Sequence, residues 1–91
     1  MTYLIADVNA IGFLMRYEKI LSLLGFKVIV PRYFDDKILL EMAKMYNGYL
    51  ITYDSDFMGY REAIVLPRTN KWEKCLTYML KEMARRGVRR L

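Results

Sequence analysis

The sequence predicts a single α/β domain of three layers, with a mostly parallel four-stranded sheet in the order 2-1-3-4 and helices on both faces. Short apolar runs alternate along the chain with segments whose apolar residues recur at helical spacing, and this alternation is typical of parallel β-α-β units. The 91 residues have room for one sheet. Because no repeat or linker divides the chain, we expect one domain over residues 1–91.

The first three elements form a β-α-β unit. Residues 2–6 are an apolar run that ends at Asp7, as a buried strand ends at a polar turn. Apolar residues at helical spacing then predict an amphipathic helix that stops at Gly25: Ala10, Phe13, Leu14, Tyr17, Leu21 and Leu24. Residues 26–30 form a second strand, and the order of the three elements implies a right-handed parallel crossover.

The same alternation continues to the end of the chain. A helix is predicted over residues 36–47, followed by a third strand at residues 49–53 that ends in an Asp-Ser-Asp turn. A shorter fourth strand covers residues 63–66. The last helix has the clearest pattern, with apolar residues at positions i, i+3, i+4 and i+7: Trp72, Cys75, Leu76, Met79, Leu80 and Met83.

Positive charge is concentrated in the C-terminal helix and tail, from about residue 70 to residue 91. The chain has 15 Lys and Arg against 10 Asp and Glu, and its net charge of +5 comes entirely from residues 71–91. A basic segment of this kind suits a polyanion such as RNA, and the residues expected to bind it are Lys81, Arg85, Arg86, Arg89 and Arg90. The alternative is that these charges complement the helix dipole and solubilise an exposed face.

Composition limits the compartment, the metals and the partners. The lone Cys75 excludes an internal disulfide, and the absence of a signal-peptide pattern favours the cytoplasm. No apolar run is long enough to cross a membrane. With no His, zinc lacks its usual ligands, so any bound metal is expected to be Mg²⁺ or Mn²⁺ held by oxygen. The hydrophobic content of 55% predicts a homodimer that covers excess apolar helix surface.

Acidic residues follow the ends of three predicted strands. Asp7 follows the first strand, Asp54 and Asp56 follow the third, and Asp35 or Asp36 starts the helix after the second. Because the carboxyl ends of parallel strands open at one edge of the sheet, we expect these carboxylates to converge there. Like charges repel at short range unless a cation neutralises them. A carboxylate-bound divalent metal can activate water and stabilise charge on a phosphoryl oxygen.

Each of these acids also has a purely structural explanation. An Asp at a helix start is often only a cap, so Asp36 is the preferred metal ligand and Asp35 the alternate. The Asp-Ser-Asp segment is also a common hydrogen-bonded turn. Asp7 is the strongest candidate, because an acid that ends an apolar strand is costly unless it is paired.

Four segments of the chain resemble the PIN-like nucleases, a superfamily that includes small ribonuclease domains and VapC-type toxins. In chain order these segments are Asp7–Asn9, Leu24–Val28, Asp36–Ala43 and Leu50–Phe57. The resemblance implies a PIN-like fold and Mg²⁺- or Mn²⁺-dependent hydrolysis of RNA phosphodiesters, with an antitoxin or another protein as a further partner. It assigns the metal and the catalysis to Asp7, Asp36, Asp54 and Asp56, with Asn9 and Thr52 supporting the site.

Two other functions remain open from the residues alone. A PIN-like scaffold without activity could keep the fold and bind RNA or protein through its basic tail. A receiver-like signalling domain would also place an acid after its first and third strands, with Asp54 as the phosphoryl acceptor. The chain is short for a receiver, and no Lys ends a fifth strand, so we rank that function last.

Overall fold

A computed structural model of the chain describes residues 1–87, so the tail residues Arg89 and Arg90 lie outside the described residues. In chain order, the elements within this range are β1 (Thr2–Ala6), α1 (Ile11–Arg16), α2 (Glu18–Leu23), β2 (Phe26–Ile29), α3 (Asp36–Met45), β3 (Tyr49–Thr52), β4 (Ala63–Val65) and α4 (Trp72–Arg85). Short 3₁₀ turns at Val8–Ala10 and Ser55–Phe57 follow β1 and β3.

The strands form one sheet in the order β2-β1-β3-β4, which confirms the predicted order. All three strand pairings are parallel, whereas the sequence predicted a mostly parallel sheet. The chain passes from β1 to β2 on one side and returns to β3 on the other, so the direction of winding reverses between β1 and β3. Ligands of open parallel sheets bind outside the carboxyl ends of the strands at such a reversal.

Helices cover both faces of the sheet, as predicted for three layers. On one face, buried residues of α1, α2 and α4 pack with Leu4 and Ala6 of β1. On the other face, Leu39 and Ala43 of α3 pack with Ile5 of β1. Side chains alternate between the two faces along a strand. Because both faces are covered, the strands appear in the sequence as unbroken apolar runs.

The helix predicted between residues 10 and 24 is divided at Tyr17. The backbone N–H of Tyr17 donates to the carbonyl oxygen of Leu14 at 3.2 Å, which is the tighter spacing of a 3₁₀ turn. The ordinary spacing resumes when the N–H of Leu21 donates to the carbonyl of Tyr17 at 2.9 Å. Both Leu14 and Leu21 are buried, so the apolar stripe faces the sheet on either side of the break.

Gly48 connects α3 to β3 at a place with no room for a side chain. A Cβ atom at this position would lie 2.1 Å from the carbonyl oxygen of Tyr3 in β1. The N–H of Gly48 also donates to the carbonyl of Ala43 at 2.8 Å, which ends the helix beside that strand. The end of α3 is therefore in direct backbone contact with the sheet.

Some apolar helix surface remains uncovered. Leu23 at the end of α2 is 84% exposed and Met45 at the end of α3 is 77% exposed. The homodimer that the composition suggests would cover such side chains, and it stays a prediction. Within residues 1–87, no helix combines the length and the apolar character needed to cross a bilayer.

Candidate functional site

Asp7 lies at the carboxyl end of β1 and is held by two hydrogen bonds. Its Oδ1 accepts from the N–H of Val8 at 2.7 Å, and its Oδ2 accepts from the hydroxyl of Thr52 at 2.6 Å. Asp7 is 6% exposed and Thr52 is fully buried. A carboxylate has acceptor capacity for about four hydrogen bonds, so Asp7 is oriented by these two bonds and still has lone pairs to offer.

Further bonds fix the end of β3 to the same edge of the sheet. The Thr52 hydroxyl oxygen accepts from the N–H of Asp54 at 3.0 Å, and Asn9 Oδ1 accepts from the N–H of Tyr53 at 3.2 Å. Asn9 belongs to the turn after β1 and Tyr53 follows β3, so this second bond also joins the two strand ends. Asn9 and Thr52 thus hold the backbone of the segment that carries Asp54.

Asp54 and Asp56 lie in the turn that follows β3. Asp54 Oδ1 accepts from the N–H of Asp56 at 2.9 Å. This is the hydrogen-bonded turn that the sequence predicts as the structural explanation of the Asp-Ser-Asp segment. Asp56 is exposed and Asp54 is partly exposed. Within residues 1–87, neither Oδ2 of Asp54 nor the carboxylate of Asp56 accepts a hydrogen bond. The turn therefore leaves three carboxylate oxygens available to a ligand.

The two acids at the start of α3 have different surroundings. Asp35 Oδ1 accepts from the N–H of Lys37 at 3.0 Å, which makes Asp35 the N-cap of the helix. Asp36 is the first residue of the helix, and it is exposed. Asp35 therefore has the capping role expected as the structural explanation, and Asp36 as a metal ligand, with Asp35 as the alternate, stays a prediction.

The five aspartates share one electrostatic neighbourhood. The pKa of the Asp36 carboxyl is raised above its ordinary value of 3.8, first by desolvation and then by the charges of Asp54, Asp7, Asp35 and Asp56. The ends of β1 and β3 and the start of α3 place these acids at the carboxyl edge of the sheet, and the raised pKa of Asp36 agrees with that placement.

The aspartates at this edge offer only oxygen donors. The ion pairs formed within residues 1–87 join Glu82 to Arg85 and to Arg86, and none involves these aspartates. In the same range, no three acidic, His or Cys side chains are arranged closely enough to enclose an ion. A metal site would therefore require the exposed carboxylates of Asp36 and Asp56 to change position, and the metal stays a prediction. Oxygen-only ligands then suit Mg²⁺ or Mn²⁺.

No protein-family model, curated protein or solved structure matches the chain. The resemblance to PIN-like nucleases therefore depends on the four sequence segments, and the site is interpreted from its own geometry.

The C-terminal end of α4 lies at the opposite end of the sheet from the aspartates. Arg86 Nη1 donates to the carbonyl oxygens of Arg61 and Ala63, both at 2.9 Å, where β4 begins. Its guanidinium carbon lies 5.8 Å from the centre of the Tyr49 ring, where β3 begins. Arg86 is thus placed against the amino ends of the strands and contributes no contact to the acidic edge.

Arg85 and Arg86 are both paired with Glu82. Nε of Arg85 donates to Glu82 at 3.2 Å, its Nη2 makes a second bond, and Nε of Arg86 donates at 3.1 Å. The pKa of Glu82 is held below its ordinary value, mainly by the bond from Arg85, with burial opposing it and the bond from Arg86 adding to it. The RNA-binding role predicted for these two arginines and Lys81 stays a prediction, and Arg89 and Arg90 lie outside the described residues.

The sequence did not predict an open hollow on the surface beside the acidic edge. This hollow has a volume of about 500 Å³ and is lined by Asn9, Tyr53, Arg68, Thr69 and Asn70. Three of its residues belong to the loop after β4, and the N–H of Leu66 donates to the carbonyl of Thr52 at 2.7 Å, which holds that loop beside the end of β3. The sequence could have predicted this hollow, because its loop follows the carboxyl end of a parallel strand, where ligands of such sheets bind.

Proposed function

We propose that the protein is a metal-dependent endoribonuclease with a PIN-like fold that hydrolyses RNA phosphodiester bonds with Mg²⁺ or Mn²⁺. The observation that carries the proposal is the position of Asp7, Asp36, Asp54 and Asp56 at the carboxyl edge of the sheet, where no Lys or Arg of residues 1–87 forms an ion pair with them. Uncompensated like charges that share one edge favour a site that takes up a cation.

The residues of the site have distinct roles in this proposal. Asp7 is the fixed ligand, because two hydrogen bonds set the direction of its carboxylate. Thr52 positions both Asp7 and the backbone of Asp54, and Asn9 holds the backbone between them. Asp36 and Asp56 are exposed and adjust to the ion. When bound, the metal would lower the pKa of a water molecule and stabilise charge on a phosphoryl oxygen.

A second candidate function is a non-catalytic module that binds RNA or protein. The position of Arg86 favours it, because the described end of the basic helix lies against the amino ends of β3 and β4. A surface there would bind a polyanion without bringing it to the aspartates. RNA binding that survives Asp7→Asn, combined with no cleavage by the unmodified protein, would support this module over the nuclease.

The test is cleavage of single-stranded RNA by the purified protein in Mn²⁺, with Asp7→Asn beside it. The amide keeps the shape of the side chain and removes its charge, so we expect cleavage to fall at least about 10–100-fold, as it does when metal-site partners are lost. Glu41→Gln is the matched control, because Glu41 is an exposed acid on α3 outside the cluster. Equal cleavage by the unmodified protein and Asp7→Asn, or cleavage by neither, would contradict the proposal.

A further inference from the structure

The hollow beside the acidic edge is lined by Asn9, Tyr53, Arg68, Thr69 and Asn70, and of these residues only Asn9 has a role in the site proposed above. It is built on the same framework as the aspartates. Asn9 lies two residues after Asp7, and Tyr53 directly precedes Asp54. The hollow therefore lies next to the segments that carry Asp7 and Asp54.

The hollow presents hydrogen-bond donors and positive charge. Asn9 Oδ1 already accepts from the N–H of Tyr53 at 3.2 Å, so its amide group has both of its N–H donors to offer. Arg68 is exposed and forms no ion pair with any acid of residues 1–87. Among residues 1–87, none of those that line the hollow is acidic. A guanidinium and nearby amide donors form a suitable site for a phosphate group.

Tyr53 is held in place by one hydrogen bond from its backbone and one from its hydroxyl. Its backbone N–H is bound by Asn9, and its hydroxyl donates to Sγ of Cys75 at 3.4 Å. Cys75 in turn lies 3.6 Å from the carbonyl oxygen of Pro67, in the loop that carries Arg68. The side chain of Tyr53 is only partly buried. Tyr53 packs against the core and also lines the hollow, so its ring offers a fixed aromatic surface on which an unpaired base can stack.

We propose that this hollow binds one nucleotide of a single-stranded nucleic acid, with its phosphate on Arg68 and its base against Tyr53. The inference rests on the proposed function, because the bound nucleotide would place the next phosphodiester at the acidic edge. It adds a substrate class, since a base held in a duplex is not free to stack on protein. RNA and DNA single strands share this chemistry, and the experiment distinguishes them.

The first test measures binding by fluorescence anisotropy in EDTA, with labelled single-stranded RNA and DNA of the same sequence. We expect Arg68→Gln to weaken binding about fivefold or more and to reduce the salt slope of log K by about 0.7, the value for one phosphate contact on a single strand. Arg61→Gln is the matched control, because Arg61 and Arg68 are exposed arginines at opposite ends of β4. Equal losses from both substitutions would overturn the inference.

The second test uses two substitutions of Tyr53. Tyr53→Phe keeps the ring and should bind within about twofold of the unmodified protein, whereas Tyr53→Leu should bind about fivefold or more weakly because it loses the stacking surface. Thermal unfolding of each variant checks that it is folded. Equal affinities of the two variants, or duplex RNA bound as tightly as the single strand, would overturn the inference.

Comparison of the two oligonucleotides distinguishes RNA from DNA as the ligand, and the absence of metal separates binding from cleavage. Tighter binding of RNA than of DNA would support a contact with the ribose 2′-hydroxyl, and equal binding would support recognition of phosphate and base alone. Binding of neither would overturn the inference and favour a protein ligand. Binding is measured in EDTA, so it does not depend on cleavage. Failure of the separate Mn²⁺ cleavage assay would therefore contradict the nuclease without contradicting the nucleotide site.

Discussion

The hydroxyl of Thr52 donates a hydrogen bond of 2.6 Å to the carboxylate of Asp7 and so joins β3 to β1 at their carboxyl ends. Both side chains are buried, and the two strands are neighbours in the sheet. Thr52 is a polar residue at the end of an apolar strand because its hydroxyl satisfies a buried acid. The bond therefore contributes to the fold and also orients the acid.

Thr52→Val should lower both stability and activity. Valine keeps the shape of threonine but leaves an oxygen of Asp7 without its partner, which we expect to reduce the free energy of unfolding by about 1–3 kcal/mol. RNA cleavage should fall about 10–100-fold, because the carboxylate is less well oriented. Thr52→Ser is the control and should retain most of both properties. Urea unfolding and a cleavage assay measure the two effects, and valine and serine variants that behave alike would contradict the role of the bond.

Asp36→Asn should make the metal-free protein more stable at neutral pH. The folded pKa of Asp36 lies above its unfolded value of 3.8, so its negative charge opposes folding at higher pH and has no effect once the group is protonated in both states. The substitution should therefore raise the melting temperature at pH 7 in EDTA, with a difference that disappears near pH 3.

Metal should reverse the effect of that substitution. Mn²⁺ that binds the folded state raises the melting temperature of the unmodified protein, and we expect a smaller increase for Asp36→Asn because a ligand is missing. Glu41→Gln serves again as the control and should respond to Mn²⁺ like the unmodified protein. An Asp36→Asn protein that is less stable in EDTA would contradict the repulsion among the five aspartates.

Gly48→Ala should be strongly destabilising. The new Cβ would lie 2.1 Å from the carbonyl oxygen of Tyr3, and relief requires α3 or β1 to move. We expect a loss of about 3 kcal/mol or more, which is typical of overpacking against a fixed backbone. Gly12→Ala is the comparison, because a Cβ at position 12 would lie 3.4 Å from the ring of Trp72, an ordinary contact. The helix propensity of alanine should raise the free energy of unfolding of this variant by up to about 1 kcal/mol. Chemical denaturation of both variants provides the comparison, and similar stabilities would show that the close approach is not limiting.

Glu82→Gln should weaken the attachment of α4 to the sheet. Glu82 holds Arg86, which bonds to the backbone before and within β4, so we expect a loss of about 1 kcal/mol at pH 7. The folded pKa of Glu82 is depressed, so its contribution exists above the unfolded value of 4.5 and is lost as the pH falls through the folded pKa. The difference in unfolding free energy should therefore vanish in acid. Arg85→Gln leaves the bond between Glu82 and Arg86 in place and should reduce the free energy of unfolding by less. A loss of stability in Glu82→Gln that does not depend on pH would contradict an ionic origin of this contribution.

The separation of Arg86 from the aspartates could not be predicted from charge patterning. A count of charges treats residues 71–91 as one basic segment, but α4 runs from the carboxyl edge of the sheet back to the amino edge. Its 14 residues extend about 21 Å at the rise of an α-helix. Residues at its two ends therefore lie at different ends of the sheet, and only the packing of the helix decides which end meets which strand.

By itself the sequence determined the elements, the order of the strands and the edge at which the acids gather, because periodicity and strand-end chemistry are local properties and parallel strands share one carboxyl edge. Predicted element ends lie within two residues of those observed, apart from the break at Tyr17. Only the tertiary structure decided that Thr52 holds Asp7, that Arg86 bonds to the start of β4, and that Arg68 lines a hollow with Tyr53. These relationships join residues that are distant in the chain, and they depend on how each layer packs against the sheet.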